Sequence, residues 1–465
     1  MSVGEHSINT QATTGLGLGQ KRSTALLLAL RLALLVIATA LAASIAVGSR
    51  YGAHPDERYN IDAFEFFETH WWPPALDSDE VIYTPYGASR VHRGELVYGL
   101  FGKLGGIARS VVRPEGEDAY YRFTYWTYRL LNVALLAGTL AVLLFNRRWR
   151  NSSALLALAV VCIPQVLYLY GYANSDAWGL SLSFLLLALA LSLTDKPIGD
   201  WSWSDVTLLG ILTGLLLTAK LPFLVSIGLP YTLLGWHLFQ HVRQRRLPPW
   251  HWMAQRTLLL CLLAAAIGAP LRVIYPMTQG DYKAAQERAR EKLAHAGFKP
   301  SNPTASTVNL ASKGETYQDL FVKHNWLQAT LKSHYGVFGY FTVWAPQWVL
   351  QVAGVGALVL LLLTVASLGL DGSHIPLAIR AGILVAPLFI LLNIAASLYN
   401  SLHVDCQPQG RYLFPSLAAV ALLTMGPLPW ERTPLRVLRL IVLALLLVLS
   451  VYTITQVLLP SDIFW

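Results

Sequence analysis

Asp56 and Glu57, adjacent carboxylates in the stretch His54-Pro55-Asp56-Glu57, stand a few residues beyond the first long apolar segment, where a polar loop begins. Pro55 restrains the backbone, and partial desolvation at a membrane surface would raise a carboxyl pKa towards use as a general base. A carboxylate placed there can deprotonate an acceptor hydroxyl. The same two acids also suit the start of a following helix, whose dipole favours negative charge.

Cations that could share a site with them lie far along the chain. Lys220 follows a short apolar segment and precedes Leu221-Pro222, where the chain breaks into a hairpin. An ammonium at such a break either binds a phosphate or snorkels to the interface. Gln409-Gly410-Arg411-Tyr412 opens another apolar span, so Arg411 offers forked donors beside the free N–H groups of a helix start. Pairing of Arg411 with Asp405 or Glu57 is the alternative. Asn174-Ser175-Asp176 fills a short turn between two spans, where it either caps the next helix or orients a substrate or cation. Arg129 lies inside a span and requires a partner in the bundle interior. His54, His92, His334 and His403 lack the close helical spacing of a metal pair, so no metal ligands are assigned.

Positioning these residues falls to membrane helices. The chain has 465 residues, 54% hydrophobic and 13% charged, with a mean hydropathy of +0.46. That much apolar surface exceeds what a water-soluble core can absorb. A bilayer core needs roughly 20 apolar residues per helix, and about 11 segments approach that length. They are 25–48, 123–145, 152–170, 176–194, 222–239, 257–275, 347–368, 381–400, 412–428 and 438–459, with a shorter one at 206–219. The expected fold is an all-α integral membrane protein.

Short-loop basic residues set its orientation. Lys21-Arg22, Arg147-Arg148-Arg150, Arg243-Arg245-Arg246-Arg256 and Arg432-Arg436-Arg439 share one side if the N-terminus is cytoplasmic. This gives a cytoplasmic tail at 1–24, a transmembrane domain over 25–459 and an outer C-terminal tail at 460–465. Long loops 49–122 and 276–346 then face outward. The formal charge of +9 is absorbed by membrane insertion and anionic lipid, which leaves nucleic acid without a role. Cys162 and Cys261 fall in spans and only Cys406 faces outward, so no disulfide framework is expected.

In the first outer loop, Ile61, Phe64, Phe67 and Trp71 recur at helical spacing. The pattern predicts an amphipathic helix on the membrane, with Trp71-Trp72 at headgroup depth and Pro73-Pro74 ending it. The second loop carries a charged helical stretch at 281–295, a polar segment at 300–309 and the aromatic run His334-Tyr335-Gly336-Val337-Phe338-Gly339-Tyr340-Phe341. It is expected to cap the first loop.

In order, His54-Pro55-Asp56-Glu57, Asn174-Ser175-Asp176-Ala177, Lys220, Ser333-His334-Tyr335-Gly336-Val337-Phe338-Gly339 and Gln409-Gly410-Arg411-Tyr412-Leu413-Phe414-Pro415 resemble a known pattern. It is that of a bacterial family of uncharacterised multi-spanning membrane proteins in the C-type (GT-C) glycosyltransferase superfamily, which uses polyprenyl-phosphate sugars. The turn reads Asn174-Ser175-Asp176 where Asn-Pro-Asp is expected. The resemblance implies a GT-C-like bundle in the cytoplasmic membrane, working on its outer, periplasmic face. A sugar would pass from a polyprenyl-phosphate carrier to a hydroxyl of a cell-envelope glycan or lipid. It implies Asp56 as base with Glu57 beside it, Lys220 and Arg411 on the donor phosphate, and His54, Asn174, Asp176, Gln409 and Tyr412 orienting substrate. A divalent cation stays open, since some members of the superfamily need one. A flippase for a lipid-linked glycan and a non-catalytic envelope scaffold are the alternatives.

Overall fold

The computed structural model describes residues 12–146 and 151–465, and side chains over 25–146 and 154–465. Arg147, Arg148 and Arg150, the side chains of Lys21 and Arg22, and the first part of the expected tail lie outside the described residues.

The chain folds as α1 (Ala12–Gly48), α2 (Glu57–Thr69), α3 (Leu96–Val112), α4 (Glu117–Phe145), α5 (Asn151–Val161), α6 (Pro164–Tyr170), α7 (Asp176–Leu193), α8 (Trp203–Leu217), α9 (Val225–Arg243) and α10 (Trp250–Ala269). There follow α11 (Tyr275–Thr278), α12 (Tyr282–Leu293), α13 (Tyr317–Val322), α14 (Trp326–Gly336), a two-residue hairpin of β1 (Val337–Phe338) and β2 (Val343–Trp344), α15 (Gln347–Leu370), α16 (Leu377–His403), α17 (Leu417–Met425) and α18 (Thr433–Tyr452). The protein is an all-α membrane protein. Among the described residues, nine helices are long and apolar enough to span a bilayer, and Trp203–Leu217 is a shorter apolar helix. The α5–α6 pair forms one further segment, broken where Pro164 lacks the N–H that would continue the helix.

Local chemistry sets several of these boundaries. A capping box between Ser202 and Asp205 starts α8. Pro270 opens a π-turn that carries α10 into α11. A 3-10 turn, Gly410–Ser416, precedes α17. α1 begins at Ala12, well inside the stretch expected to be a polar tail.

The first and last spans end on the same face: Arg50 N–H donates to the Ile463 carbonyl at 2.9 Å and Trp465 N–H to that of Gly48 at 3.1 Å. Both long loops lie on that face. The second loop packs on the first, with His295 N–H donating to the Pro85 carbonyl at 3.0 Å and Tyr282 Oη to that of His92 at 3.4 Å. Arg439, expected as a short-loop charge on the opposite face, is instead fully buried and donates to Glu431, Ser367 and Thr364.

The amphipathic reading of α2 is corrected in its destination. Ile61, Phe64 and Phe67 form a core with Tyr98 and Phe101 of α3 and Tyr128 of α4, in place of a lipid surface. Gly102 makes this approach feasible, because a Cβ there would overlap the Phe64 carbonyl and Phe67. The helix also stops at Thr69, ahead of Pro73-Pro74.

Candidate functional site

Asp56 immediately precedes α2 with φ 61° and ψ 3°, in the left-handed region that aspartate enters more readily than most residues. Its side chain does not cap α2. Asp56 Oδ2 instead accepts from Arg90 Nη2 at 3.1 Å and Arg411 Nη2 at 3.2 Å, and the Asp56 side chain stays 38% exposed against 9% for each arginine. Thus Arg411 pairs with neither Asp405 nor Glu57. Burial pushes the Asp56 pKa up, but Arg90, Arg411, Lys220 and Arg93 outweigh it and hold the carboxyl well below the usual range. The expected upward shift is therefore reversed, because the cations gathered around the carboxylate stabilise its charge.

Lys220 Nζ holds both oxygens of Asp176, at 2.8 and 3.1 Å. Tyr412 presents its ring to Lys220 at 5.6 Å and to Arg411 at 5.5 Å. The structure thus brings Asp56, Asp176, Lys220, Arg411 and Tyr412 together. Gln409 lines a small pocket beside Arg411 with Pro55, Tyr168 and Tyr172.

Other expected site residues turn out to hold the turns in place. Glu57 is fully buried and takes Arg129 Nε and Nη2 at 2.8 Å each, together with the Ala173 N–H at 3.0 Å. Arg129 also donates to the carbonyls of Ala46, Ser49 and Arg50 at the end of α1. Glu57 is therefore the missing partner of Arg129 and is closed to a substrate. His54 is fully buried, stacked on Tyr172 at 4.9 Å and bonded through Nδ1 to Tyr168 Oη at 2.7 Å. That hydroxyl also accepts the Gly339 N–H of the β1–β2 turn at 3.0 Å. Burial lowers the His54 pKa to about 4. Asn174 spends its amide on the carbonyls of Leu169 and Tyr172 and accepts the Ala177 N–H at 3.0 Å, which caps α7. In this structure Asn174 holds backbone and His54 holds the Tyr168 hydroxyl, both from buried positions.

The aromatic run of the second loop fixes Arg411. Ser333 Oγ accepts the Gly410 N–H at 2.7 Å and His334 Nδ1 meets the Gly410 carbonyl at 3.1 Å. Any Cβ on Gly410 would overlap the His334 backbone.

Beside the ion cluster opens a cavity of about 610 Å³ between the first loop, the Lys220 turn, α10–α12 and Asn400 of α16. Lys220 and Arg93 line it, and both act on Asp56. The sequence reading missed Arg90 and Arg93. Their signal was the Arg90-Val91-His92-Arg93 cluster, which holds the first arginines after Arg58 in that loop. A divalent cation does not fit: Asp56 and Asp176 are each engaged by cations, and the described residues contain no group of three His, Cys, Asp or Glu placed to hold one.

Fold and site define a multi-spanning helical membrane protein with a carboxylate and several cations at one end of the bundle. Residues 118–420 match the family described as predicted membrane protein (DUF2142), and the chain belongs to that family. Asp56 and Arg90 precede the matched region; Asp176, Lys220 and Arg411 lie within it. Among solved structures the chain is similar to ArnT from Cupriavidus metallidurans bound to undecaprenyl phosphate, with 14% identity and a TM-score of 0.47 over 90% of this chain and 63% of that one. It is also similar to the same protein in the apo state, with 16% identity and a TM-score of 0.37 over 88% and 78%. The chain thus spans less than two thirds of the first of these. No curated protein matches it.

Proposed function

We propose that the protein is a glycosyltransferase that moves a sugar from a polyprenyl-phosphate carrier to an acceptor hydroxyl. The carrying observation is the shared contact of Arg90 and Arg411 with one partly exposed oxygen of Asp56. A base latched by two guanidiniums is a weak one. A phosphate diester entering between them would draw both arginines onto its own oxygens, since guanidinium forks match phosphate well. Asp56 then regains basicity as substrate arrives.

The reaction is a single displacement with inversion. Asp56 takes the acceptor proton, the acceptor oxygen bonds to the anomeric carbon, and the bond from that carbon to the phosphate oxygen breaks. Polyprenyl phosphate leaves with its added charge met by Arg90, Arg411 and Lys220, the kind of fixed electrostatic support that dominates such steps. Asp176 keeps Lys220 aimed at this point.

On this reading the loop face lies outside the cytoplasmic membrane. The basic residues Arg243, Arg245, Arg246 and Arg256 on the opposite face support it through the positive-inside bias. A transport route would need buried charges open to a path. The Arg129–Glu57 and Arg439–Glu431 pairs are closed on each other, which favours transfer.

The test is release of polyprenyl phosphate from a polyprenyl-phosphate sugar by the purified protein in nanodiscs with an added glycan acceptor. Wild-type turnover that Asp56→Asn lowers by about a hundredfold or more is expected. Undiminished turnover in the variant removes the proposed base.

A further inference from the structure

Two residues that line the large cavity carry buried acceptors with nothing to bind. Glu95 precedes α3 without capping it, is 4% exposed, and its Oε2 has no hydrogen-bond partner. His92 is 7% exposed. Its ring bonds the Ala75 backbone, while Nε2 has no partner. With the other nitrogen donating to Ala75, Nε2 presents a lone pair. Buried acceptors are almost always satisfied, and leaving one unmet carries a desolvation penalty. Both residues line the same cavity.

The charge of the walls narrows what can fill it. Lys220, Arg93, Arg272 and Arg290 stand against Glu95 around this space. An ammonium would meet net repulsion there, whereas uncharged hydroxyls donate to both acceptors without adding positive charge. A volume of about 610 Å³ is in the usual range of small-ligand sites.

We propose that this cavity seats a neutral, polyhydroxylated sugar ring whose hydroxyls donate to Glu95 Oε2 and His92 Nε2, and that it rejects sugars carrying an ammonium. The inference rests on the transferase reading and names its sugar class. The ring belongs to the lipid-linked donor or to the acceptor.

Titration of the full-length protein in nanodiscs tests it with four probes: bare polyprenyl phosphate, its hexose derivative, its amino-hexose derivative and free methyl hexoside. A hexose that strengthens binding over the bare lipid by about tenfold or more is expected, with Glu95→Met and His92→Phe each removing the gain while bare-lipid affinity stays unchanged. The amino-hexose should give no gain. Saturable methyl hexoside binding lost in the same variants also supports the subsite and assigns it to the acceptor. Unchanged melting temperatures and bare-lipid binding show that the variants fold. Sugar-dependent binding that survives both substitutions, no sugar-dependent binding at all, or tighter binding of the amino-hexose overturns the subsite. Failure to bind bare polyprenyl phosphate, or binding indifferent to Arg411→Ala, overturns the transferase reading instead.

Discussion

Asp56 and Arg411, 355 positions apart in the chain, meet at 3.2 Å, and Arg90 reaches the same oxygen at 3.1 Å. A carboxylate held this way is ionised and weakly basic. Its chemistry depends on something else taking the guanidiniums.

Asp56→Asn should lower transfer by about a hundredfold or more, the range for loss of a general base, with insertion intact. The check is turnover in nanodiscs beside membrane yield of the variant.

Arg411→Lys should behave as a loss and not as a conservative change. A single ammonium lacks the planar fork that spans Asp56 at 3.2 Å and Tyr172 Oη at 3.5 Å. Affinity for bare polyprenyl phosphate should fall about tenfold, and Arg90→Gln should fall alongside it. Titration of each variant with the lipid, compared with wild type, decides.

Glu57→Leu or Arg129→Met alone should destabilise the protein by about 3–5 kcal/mol, because each strands a buried charge. The double variant Glu57→Leu/Arg129→Met should recover much of that loss. Thermal melts of the three variants in one detergent measure the coupling, and simple additivity would rule out the pair as a unit.

Acidification should loosen the fold between pH 6.5 and about 4. His54 and His92 both titrate at about 4 when folded, against 6.5 ordinarily, so the unfolded chain binds more protons in that window. Stability is complete above 6.5 and is lost as pH falls through it, by at most about 1.4 kcal/mol per pH unit for each histidine. Asp62, raised by burial from 3.8 to about 6, acts in the opposite direction, stabilising as pH falls. His54→Gln should flatten the melting temperature against pH; an unaltered slope would show that His54 is not its source.

Much of the fold was legible, because each span must satisfy its backbone internally and so advertises itself as an apolar run. The segments read from composition coincide with the helices, including the short one before Lys220 and the one broken at Pro164. Within the site, Asp56, Lys220, Arg411, Asp176 and Tyr412 were identifiable as chemistry-bearing residues at span ends. What sequence hid was pairing. Nothing local distinguishes Glu57, sealed by Arg129, from Asp56, open to solvent, since the choice is made by a helix far along the chain. The Asp56 pKa was misjudged for the same reason: desolvation is readable from position, whereas Arg90 and Arg411 arrive only with the tertiary fold. α2 looked like a surface helix because its apolar stripe does not reveal whether lipid or Tyr98 and Tyr128 will cover it.

The clasp between Arg129 and the carbonyls of Ala46, Ser49 and Arg50 ties the Asp56 turn to the tip of a helix whose spanning stretch is only 17% buried within the protein. Lipid therefore surrounds most of α1, and the thickness of the surrounding leaflets sets its height. The height of α1 in the bilayer therefore sets the depth of Asp56 relative to the headgroup plane. A bilayer thinner or thicker than the native one would shift that alignment without altering any residue of the site.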